Sequence, residues 1–272
     1  MKKKLFLFLL SFSFQSFSQS YLILANGITL SFDSLGYVYD LGHYTPIGRM
    51  TAKGGQFLVE DNNILVTVDD KGILYRKYEI LPKQFISKGM NYFINENSTI
   101  FTIDSDGVTH TYENNEKIKD AIKFGGNYFF TDKNEIIVVN KLGEMNSSLI
   151  EGLSANDVYL LGGHYFMTNR GWLYTISRDG SVIDHKEERM GLILKKGGNY
   201  FIDSRGLLFT VSQTGELKMP SLPINLKISG IIKLGANYFI DGEGRLYTVD
   251  LDGQVAERWT DYDLKDVKVT SL

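Results

Sequence analysis

The sequence predicts an all-β fold, a seven-bladed β-propeller whose blades are four-stranded antiparallel sheets of about 36 residues each. Two observations carry this prediction. An aromatic residue recurs at intervals of 35–38 residues through the chain of 272 residues, and a glycine follows each of these aromatic residues fifteen positions later. Self-similarity at a fixed period of this length indicates a repeat architecture rather than a set of unrelated domains.

The residues before the first repeat have the organisation of a secretory signal peptide. Lysines occupy positions 2–4, a mostly apolar segment runs from 5 to 14, and small residues follow up to Ser18. Since the apolar segment is short for a bilayer span, we expect a signal peptide over 1–18 that is cleaved before Gln19, with cleavage before Tyr21 as the alternative. An uncleaved anchor is the competing interpretation. The mature protein, 19–272, is expected to be periplasmic or secreted, without a stable membrane span.

The recurring aromatic residues, called the anchors below, open the first strand-like segment of each repeat. The anchors are Tyr21, Phe57, Tyr92, Tyr128, Tyr165, Tyr200 and Tyr238. The glycines that follow them are Gly36, Gly72, Gly107, Gly143, Gly180, Gly215 and Gly253. Because the residues beside the anchors are also apolar, we expect the anchors in the core between blades rather than on a sugar-stacking surface.

Anchor and glycine are separated by a strand, a turn and a second strand. In the sixth repeat the strands are 200–202 and 207–211, and both are rich in β-branched and aromatic residues. A hydroxyl side chain recurs at the centre of the second strand: Ser31, Thr67, Thr102, Thr175, Thr210 and Thr248. Each glycine then closes a four-residue turn that starts with Asp, Asn or Ser, which is typical of a type I turn.

Two further strands complete each repeat, one directly after the glycine and one after a segment of variable length. Four strands per repeat with apolar residues on both faces favour sheets packed against two neighbours, as in a propeller. An open β-solenoid or a row of β-meanders is the alternative. The first repeat lacks its preceding strand, and residues 266–272 form a spare one. We therefore expect the C-terminal strand to join the first blade and close the ring.

The repeats resemble the blades of the PQQ-like, YVTN and WD-type bacterial propeller superfamily. The resemblance is carried by the segment 244–253 (Gly-Arg-Leu-Tyr-Thr-Val-Asp-Leu-Asp-Gly) and by Trp259, and in looser form it covers all seven repeats. It implies a propeller fold and export. The lipoprotein members carry a lipidated cysteine and the quinone-dependent dehydrogenases carry dedicated cofactor and metal residues. Neither set is found in this sequence, so no cofactor is predicted.

Composition excludes several kinds of chemistry. The chain has no cysteine, so disulfides, zinc-thiolate sites, iron–sulfur clusters and cysteine nucleophiles are excluded. Its net charge of −3 argues against nucleic acid as a partner. The four histidines, His43, His110, His164 and His185, do not have metal-ligand spacing, and we expect no metal. The Asp-x-Asp-Gly turns at 104–107 and 250–253 suggest calcium, but turn chemistry alone explains their aspartates.

One polar position recurs immediately before the anchors. It holds Gln56, Asn91, Asn127, His164, Asn199 and Asn237, and we call these residues the polar ring. Lysines recur nearby, and the candidates among them are Lys88, Lys123, Lys196 and Lys233. Turn chemistry with solubilising charge on one rim is the simpler interpretation. The other is a rim or channel mouth that binds an anionic or glycan ligand.

These observations predict an exported, non-catalytic propeller that acts as a binding or scaffold module for a protein or cell-envelope partner. A lectin-like carbohydrate binder with repeated sites is the first alternative. A lyase or hydrolase with carboxylates in the central channel is the second. We expect a monomer. A partner site should show exposed aromatic residues on one face, whereas an enzyme should bring together acid and base groups with shifted pKa values. Residues in the variable crossovers should discriminate best between these functions, for example Tyr44, Trp172, Trp259 and Tyr262.

Overall fold

The protein is a seven-bladed β-propeller. The computed structural model describes residues 21–24, 28–43, 50–60, 64–77, 85–95, 97–113, 115–186 and 190–265. The predicted signal peptide, the predicted closing strand 266–272 and Tyr44 lie outside these residues. Within them, six sheets have four antiparallel strands and the first sheet has three, and each sheet is one predicted repeat. We number the blades 1 to 7 in chain order and name the strands of each blade first to fourth.

The strand bounds follow the repeat. First strands of blades 2 to 7 are Met50–Lys53, Phe85–Lys88, Ala121–Phe124, Val158–Leu161, Ile193–Lys196 and Ile231–Leu234. Second strands are Tyr21–Ile23, Phe57–Glu60, Tyr92–Asn95, Tyr128–Thr131, Tyr165–Thr168, Tyr200–Asp203 and Tyr238–Asp241. Third strands are Ile28–Phe32, Leu65–Val68, Ile100–Ile103, Glu135–Val139, Leu173–Ile176, Leu208–Val211 and Leu246–Val249. Fourth strands are Val38–His43, Leu74–Lys77, Thr109–Tyr112, Met145–Leu149, Val182–Asp184, Leu217–Lys218 and Val255–Arg258.

The connections between blades hold the little helical structure that is present. One α-helical turn, Glu116–Lys119, precedes blade 4, and 3₁₀ turns at Ala155–Asp157 and Ile228–Gly230 precede blades 5 and 7. No helix in the described part of the chain is long and apolar enough to cross a membrane.

The core lies between neighbouring sheets. Second strands are buried along their length, apart from Ile23, and third strands nearly so, because both of their faces contact an adjacent blade. Every anchor is almost completely buried, as predicted. The apolar cluster between blades 7 and 1 includes Leu22, Phe32, Tyr238, Leu246 and Leu264, so the first and last blades pack together in the same way as the others.

A closed cycle of backbone hydrogen bonds runs around the axis. It is formed by the second residue of each turn between the third and fourth strands, whose N–H donates to the carbonyl of the equivalent residue in the next blade, at 2.6–2.9 Å. The residues, in order around the cycle, are Ser34, Asp70, Ser105, Lys141, Arg178, Gln213 and Leu251. Since Leu251 donates to Ser34, the ring is closed by main-chain atoms of the described residues.

Two kinds of side chain also form hydrogen bonds between neighbouring blades. The hydroxyls of six anchors donate to the carbonyl of the next anchor at 2.7–3.5 Å, and the exception is Phe57, which has no hydroxyl. The recurring Ser and Thr hydroxyls donate to the carbonyl of the turn glycine in the next blade at 2.5–2.8 Å in five blades. In blade 4 the equivalent residue is Val138. The recurring residues of the sequence therefore form the joints between blades.

Candidate functional site: the axial cavity and the apolar arc

Two hairpin turns of each of blades 2 to 7, and one turn of the described part of blade 1, lie at the axial end of the sheet. One joins the first and second strands, and the other joins the third and fourth strands. Together they line a cavity of about 890 Å³, including the part that is open to solvent. All six residues of the polar ring line this cavity. The structure therefore brings them together in one place rather than in separate pockets between blades.

Glycine pairs before the polar ring allow the first hairpin turns to approach one another. A Cβ atom at Gly126 would lie 2.4 Å from the Cα atom of Gly163, so a side chain there would displace the neighbouring main chain. Blades 3 and 7 depart from this pattern, because Met90 and Ala236 occupy the position of the second glycine. The Met90 side chain reaches across the axis to Gly198 in blade 6, where its Cε atom lies 3.0 Å from the position of a Cβ. Met90 thus covers this end of the cavity.

An ion pair crosses the axis among the second set of turns. Arg178 of blade 5 donates to the Asp70 carboxylate of blade 2 at 2.5 Å, over a sequence separation of 108 residues. Gln56 Nε2 also donates to Asp70, at 3.4 Å. Burial raises the pKa of Asp70, and the opposing effect of Arg178 does not cancel the increase. The Asp70 carboxylate is therefore only partly compensated by its cationic partner.

The asparagines of the polar ring have a defined amide orientation. The amide nitrogen of Asn237 donates to the carbonyl of Asp33 at 3.1 Å, and those of Asn91 and Asn199 are directed at Val139 and Asp250 at 3.4 and 3.5 Å. Each of these carbonyls belongs to the next blade. A carbonyl can only accept, so the nitrogen must face it and the Oδ1 atom is the other end of the amide.

Buried acceptors of the polar ring are left without a donor. They are the Oδ1 atoms of Asn91, Asn127, Asn199 and Asn237, and no described residue donates to them. The Nδ1 atom of His164 also has no hydrogen-bond partner among the described residues. Asn91 and Asn127 are 8% and 3% exposed. Burial, assisted by the charge of Arg178, lowers the pKa of His164 to about 4, so this side chain is neutral near pH 7. The ring thus presents neutral acceptors.

The lysines predicted with the polar ring do not line the cavity. Lys123 Nζ donates to the Val158 carbonyl at 2.5 Å, and Lys196 Nζ donates to the Leu161 carbonyl at 3.0 Å. Lys88 is half-buried, and burial lowers its pKa. Lys233, on the first strand of blade 7, is absent from the cavity wall. The polar ring and these lysines were predicted to share one site. In the structure the polar ring lines the cavity, and the lysines lie on the first strands.

Turn chemistry accounts for the aspartates that suggested calcium. Asp104 Oδ1 accepts the N–H groups of Asp106 and Val108 at 3.0 and 2.8 Å, and its Oδ2 lies 2.9 Å from His110. Asp250 Oδ1 accepts two N–H groups of its own turn in the same way. These oxygens are used within the turns, and no cluster of metal-ligating side chains is found among the described residues.

An exposed apolar surface lies on the fourth-strand side of blades 1 to 3, and we call it the apolar arc. Its members are 39–57% exposed: Leu35, Tyr37, Tyr39, Ile73, Tyr75 and Val108. The position after the turn glycine shows the asymmetry, because it is apolar in these three blades and polar in the other four. The polar residues there are Glu144, Ser181, Glu216 and Gln254. The blades therefore fall into two groups at this position, although exposed apolar side chains such as Leu142 and Leu149 also occur in blade 4.

Three of the four aromatic residues that the sequence suggested for a partner site lie on the described chain. Trp259 follows the fourth strand of blade 7 and is 93% exposed. Its neighbour Arg258 stacks on Tyr37 of the apolar arc, with 5.0 Å between the guanidinium carbon and the ring centroid. Tyr262 donates to Asp40, while Trp172 is half-buried between two cationic side chains. Only Trp259 extends the exposed aromatic surface.

Sequence reasoning missed Met90, the Asp70–Arg178 pair and the apolar arc. Met90 could have been found, because it is the one large side chain at a position that holds Gly or Ala in the other blades from 2 to 7. The arc could also have been found by comparing the position after the turn glycine across blades. The ion pair has no such signal, since its partners lie three blades apart.

Comparisons with known proteins give structural likenesses only. No family model matches the chain, and no curated protein sequence matches it. Among solved structures, a catalytically inactive variant of virginiamycin B lyase from Staphylococcus aureus with quinupristin is 16% identical, with a TM-score of 0.34 over 85% of each chain. A streptogramin B lyase is 14% identical, with a TM-score of 0.34 over 85% of this chain and 86% of that one. YCF48 bound to D1 peptide is 14% identical, with a TM-score of 0.33 over 91% of this chain and 86% of that one.

Proposed function

We propose that the protein is a non-catalytic binding module that recognises a protein partner through the apolar arc. The observation that carries this proposal is the residue after the turn glycine, which is apolar in blades 1 to 3 alone, where Tyr37, Ile73 and Val108 are 47–54% exposed. Monomeric proteins rarely expose a contiguous apolar surface unless it is an interaction site, and tyrosine is enriched at such sites. The polar equivalents in blades 4 to 7 show that the repeat itself does not require apolar residues there.

The tyrosines of the arc are held in place before a partner binds. Tyr39 and Tyr75 donate their hydroxyls to Asp33 and Asp69 at 2.9 and 3.0 Å, and Arg258 stacks on Tyr37. Restrained aromatic side chains lose little conformational entropy on association. This arrangement favours a rigid docking surface with an apolar partner face.

The chemistry of the axial cavity is consistent with a non-catalytic role. Its aspartates Asp33, Asp69 and Asp250 each accept N–H groups of their own turns, and Asp70 is paired with Arg178. General acid–base catalysis requires carboxyl or imidazole groups that can reach a substrate proton. In this cavity the carboxylates are occupied by structural hydrogen bonds, and His164 has lost basicity through burial.

We also propose that the module works outside the cytoplasm, after removal of residues 1–18. The lysine-rich start and short apolar segment of the sequence support this. Mass spectrometry of the protein recovered from the cell envelope or the medium should give a chain beginning at Gln19. A full-length chain recovered only from the cytoplasm would contradict the proposal.

The arc is tested by substitution with a matched control. In the arc variant, Tyr37, Ile73 and Val108 are changed to Ser. In the control variant, the equivalent Glu144, Glu216 and Gln254 are changed to Ser. A photo-crosslinking residue is placed at Lys71, whose exposed side chain lies between Tyr37 and Val108 in the ring order. We expect one cross-linked partner for the wild type and the control, and its loss for the arc variant.

Two outcomes would contradict the proposal. One is an unchanged cross-linked product in the arc variant. The other is an equal loss in both variants, which would place the interaction elsewhere on the propeller. Size-exclusion chromatography with light scattering shows whether the cross-linked partner is a second copy of this chain.

A further inference from the structure

The axial cavity has the properties of a ligand site that is distinct from the apolar arc. Four buried asparagine oxygens at equivalent positions of blades 3, 4, 6 and 7 have no donor among the described residues. A buried acceptor without a donor destabilises the folded state. Carbonyls of the next blade orient the amides of Asn91, Asn199 and Asn237, so the oxygens of these three side chains cannot turn away to find a donor.

Both ends of the cavity are covered by side chains that reach across the axis. Met90 covers the end formed by the glycine pairs, and the Arg178–Asp70 pair spans the end formed by the second set of turns. The cavity between them is partly open to solvent. Residues that bridge opposite blades narrow it on both sides.

The charge of the wall selects the kind of ligand. The lining includes Asp33, Asp69, Asp70 and Asp250, against Lys141 and Arg178 as the cations, while His164 is neutral near pH 7. The described wall is therefore negative and rich in neutral acceptors. Asp70 in particular is only partly compensated by Arg178, so a second cation in the cavity would stabilise its charged form.

We propose that the axial cavity binds a small organic cation, an alkylammonium or guanidinium group, whose N–H donors pair with the polar-ring acceptors and whose charge is balanced by Asp70. Such a group supplies several donors and a positive charge in one compact unit. An anion would meet acceptors and carboxylates, and a neutral polyol would leave the negative charge of the wall uncompensated.

The test uses the mature protein with putrescine and agmatine as probes, measured by isothermal titration calorimetry and by the shift in melting temperature. In the test variant, Asn91 and Asn127 are both changed to Leu, which removes two acceptors while keeping similar volume. The control is Asn97→Leu, because Asn97 is exposed in the turn between the second and third strands, at the other end of blade 3. We expect at least about tenfold weaker binding in the test variant and unchanged binding in the control.

A second variant keeps the proposal falsifiable if the double substitution prevents folding. Asn127→Asp adds a carboxylate to the ring, so it should bind both amines several-fold more tightly than the wild type. Without ligand, the melting temperature of this variant should be lower than that of the wild type. Either amine should raise it again. A residue with a purely structural role would not produce this rescue.

Three results would overturn the proposal. The first is the absence of binding of either amine to the wild type at millimolar concentration. The second is equal affinity in the wild type and the double variant. The third is a melting-temperature shift produced only by calcium chloride or only by glycerol, which would assign the cavity to a metal ion or to a neutral polyol.

Discussion

At the scale of single residues, the anchors have two roles. Their rings fill the space between blades, and their hydroxyls bond the carbonyl of the next anchor. The sequence shows an aromatic at each position, but a phenylalanine would satisfy packing alone. The preference for tyrosine is explained by the hydrogen bond, and Phe57 is the one position where that bond is missing.

Phe57→Tyr should stabilise the protein. Phe57 lies over Gly54 as Tyr92 lies over Gly89, so an added hydroxyl would point to the carbonyl of Tyr92. A buried hydrogen bond between groups that are already positioned contributes about 1 kcal/mol. Equilibrium unfolding in urea would measure the gain. Phe166→Tyr is the control. Phe166 is buried within an apolar cluster, so a hydroxyl there should lower the stability of the protein. A loss of stability in Phe57→Tyr would contradict the hydrogen-bond ring.

At the scale of the structural element, the turn between the third and fourth strands both reverses the chain and joins two blades. Its first residue accepts two N–H groups of the same turn, as at Asp69, and its second residue belongs to the closed backbone cycle. Its glycine has a positive φ and contacts the hydroxyl-bearing residue of the preceding blade. At Gly253 φ is +78°, and a Cβ would lie 2.6 Å from Thr210 Oγ1.

Gly253→Ala should therefore cost more than Gly206→Ala. Gly206 has nearly the same φ, +76°, but no atom of the described chain lies within 4 Å of its Cβ position. The backbone cost, about 1 kcal/mol, is common to both. Only Gly253→Ala also displaces Thr210 from its contact, which adds a packing cost of about 1–3 kcal/mol. Equal losses in urea unfolding would show that the glycine serves the turn alone.

At the scale of the whole molecule, stability depends on closure. The cycle from Ser34 to Leu251 and the apolar cluster between blades 7 and 1 join the ends of the described chain without any disulfide. Each blade has its core only where it meets a neighbour, so opening one joint exposes apolar surface on two blades. We expect the ring to unfold as a unit.

Deletion of 266–272 should lower the melting temperature of the entire domain by several degrees. This segment is the predicted fourth partner of the three-stranded first blade, and its loss should weaken the joint between the ends. The two tryptophans provide local probes, since Trp172 lies beside blade 5 and Trp259 beside blade 7. Both fluorescence transitions should shift together in variants that keep one tryptophan. A shift at Trp259 alone would argue against ring-wide coupling.

Periodicity explains how much of this could be predicted from sequence. Contacts that repeat in every blade, such as the anchors, the turn aspartates and the hydroxyl at Thr67, leave a regular signal and were predicted as parts of one architecture. The polar ring lies in the turn between the first and second strands, and the lysines predicted with it lie on first strands, outside the cavity wall. Contacts across the axis, as between Asp70 and Arg178, occur once and depend on the curvature of the closed ring. Spacing along the chain contains no information on that curvature.

The backbone cycle, the anchor hydroxyls and the Ser and Thr hydroxyls all donate in one sense, from each blade to the next. The contact between blades is thus head-to-tail, with a donating surface on one side and an accepting surface on the other. Head-to-tail contacts form closed assemblies when their rotation divides a full circle, whether or not the units are covalently linked. This chain is therefore the single-polypeptide counterpart of a cyclic heptamer. The angle at each joint, rather than the peptide connections, determines that the seventh blade meets the first.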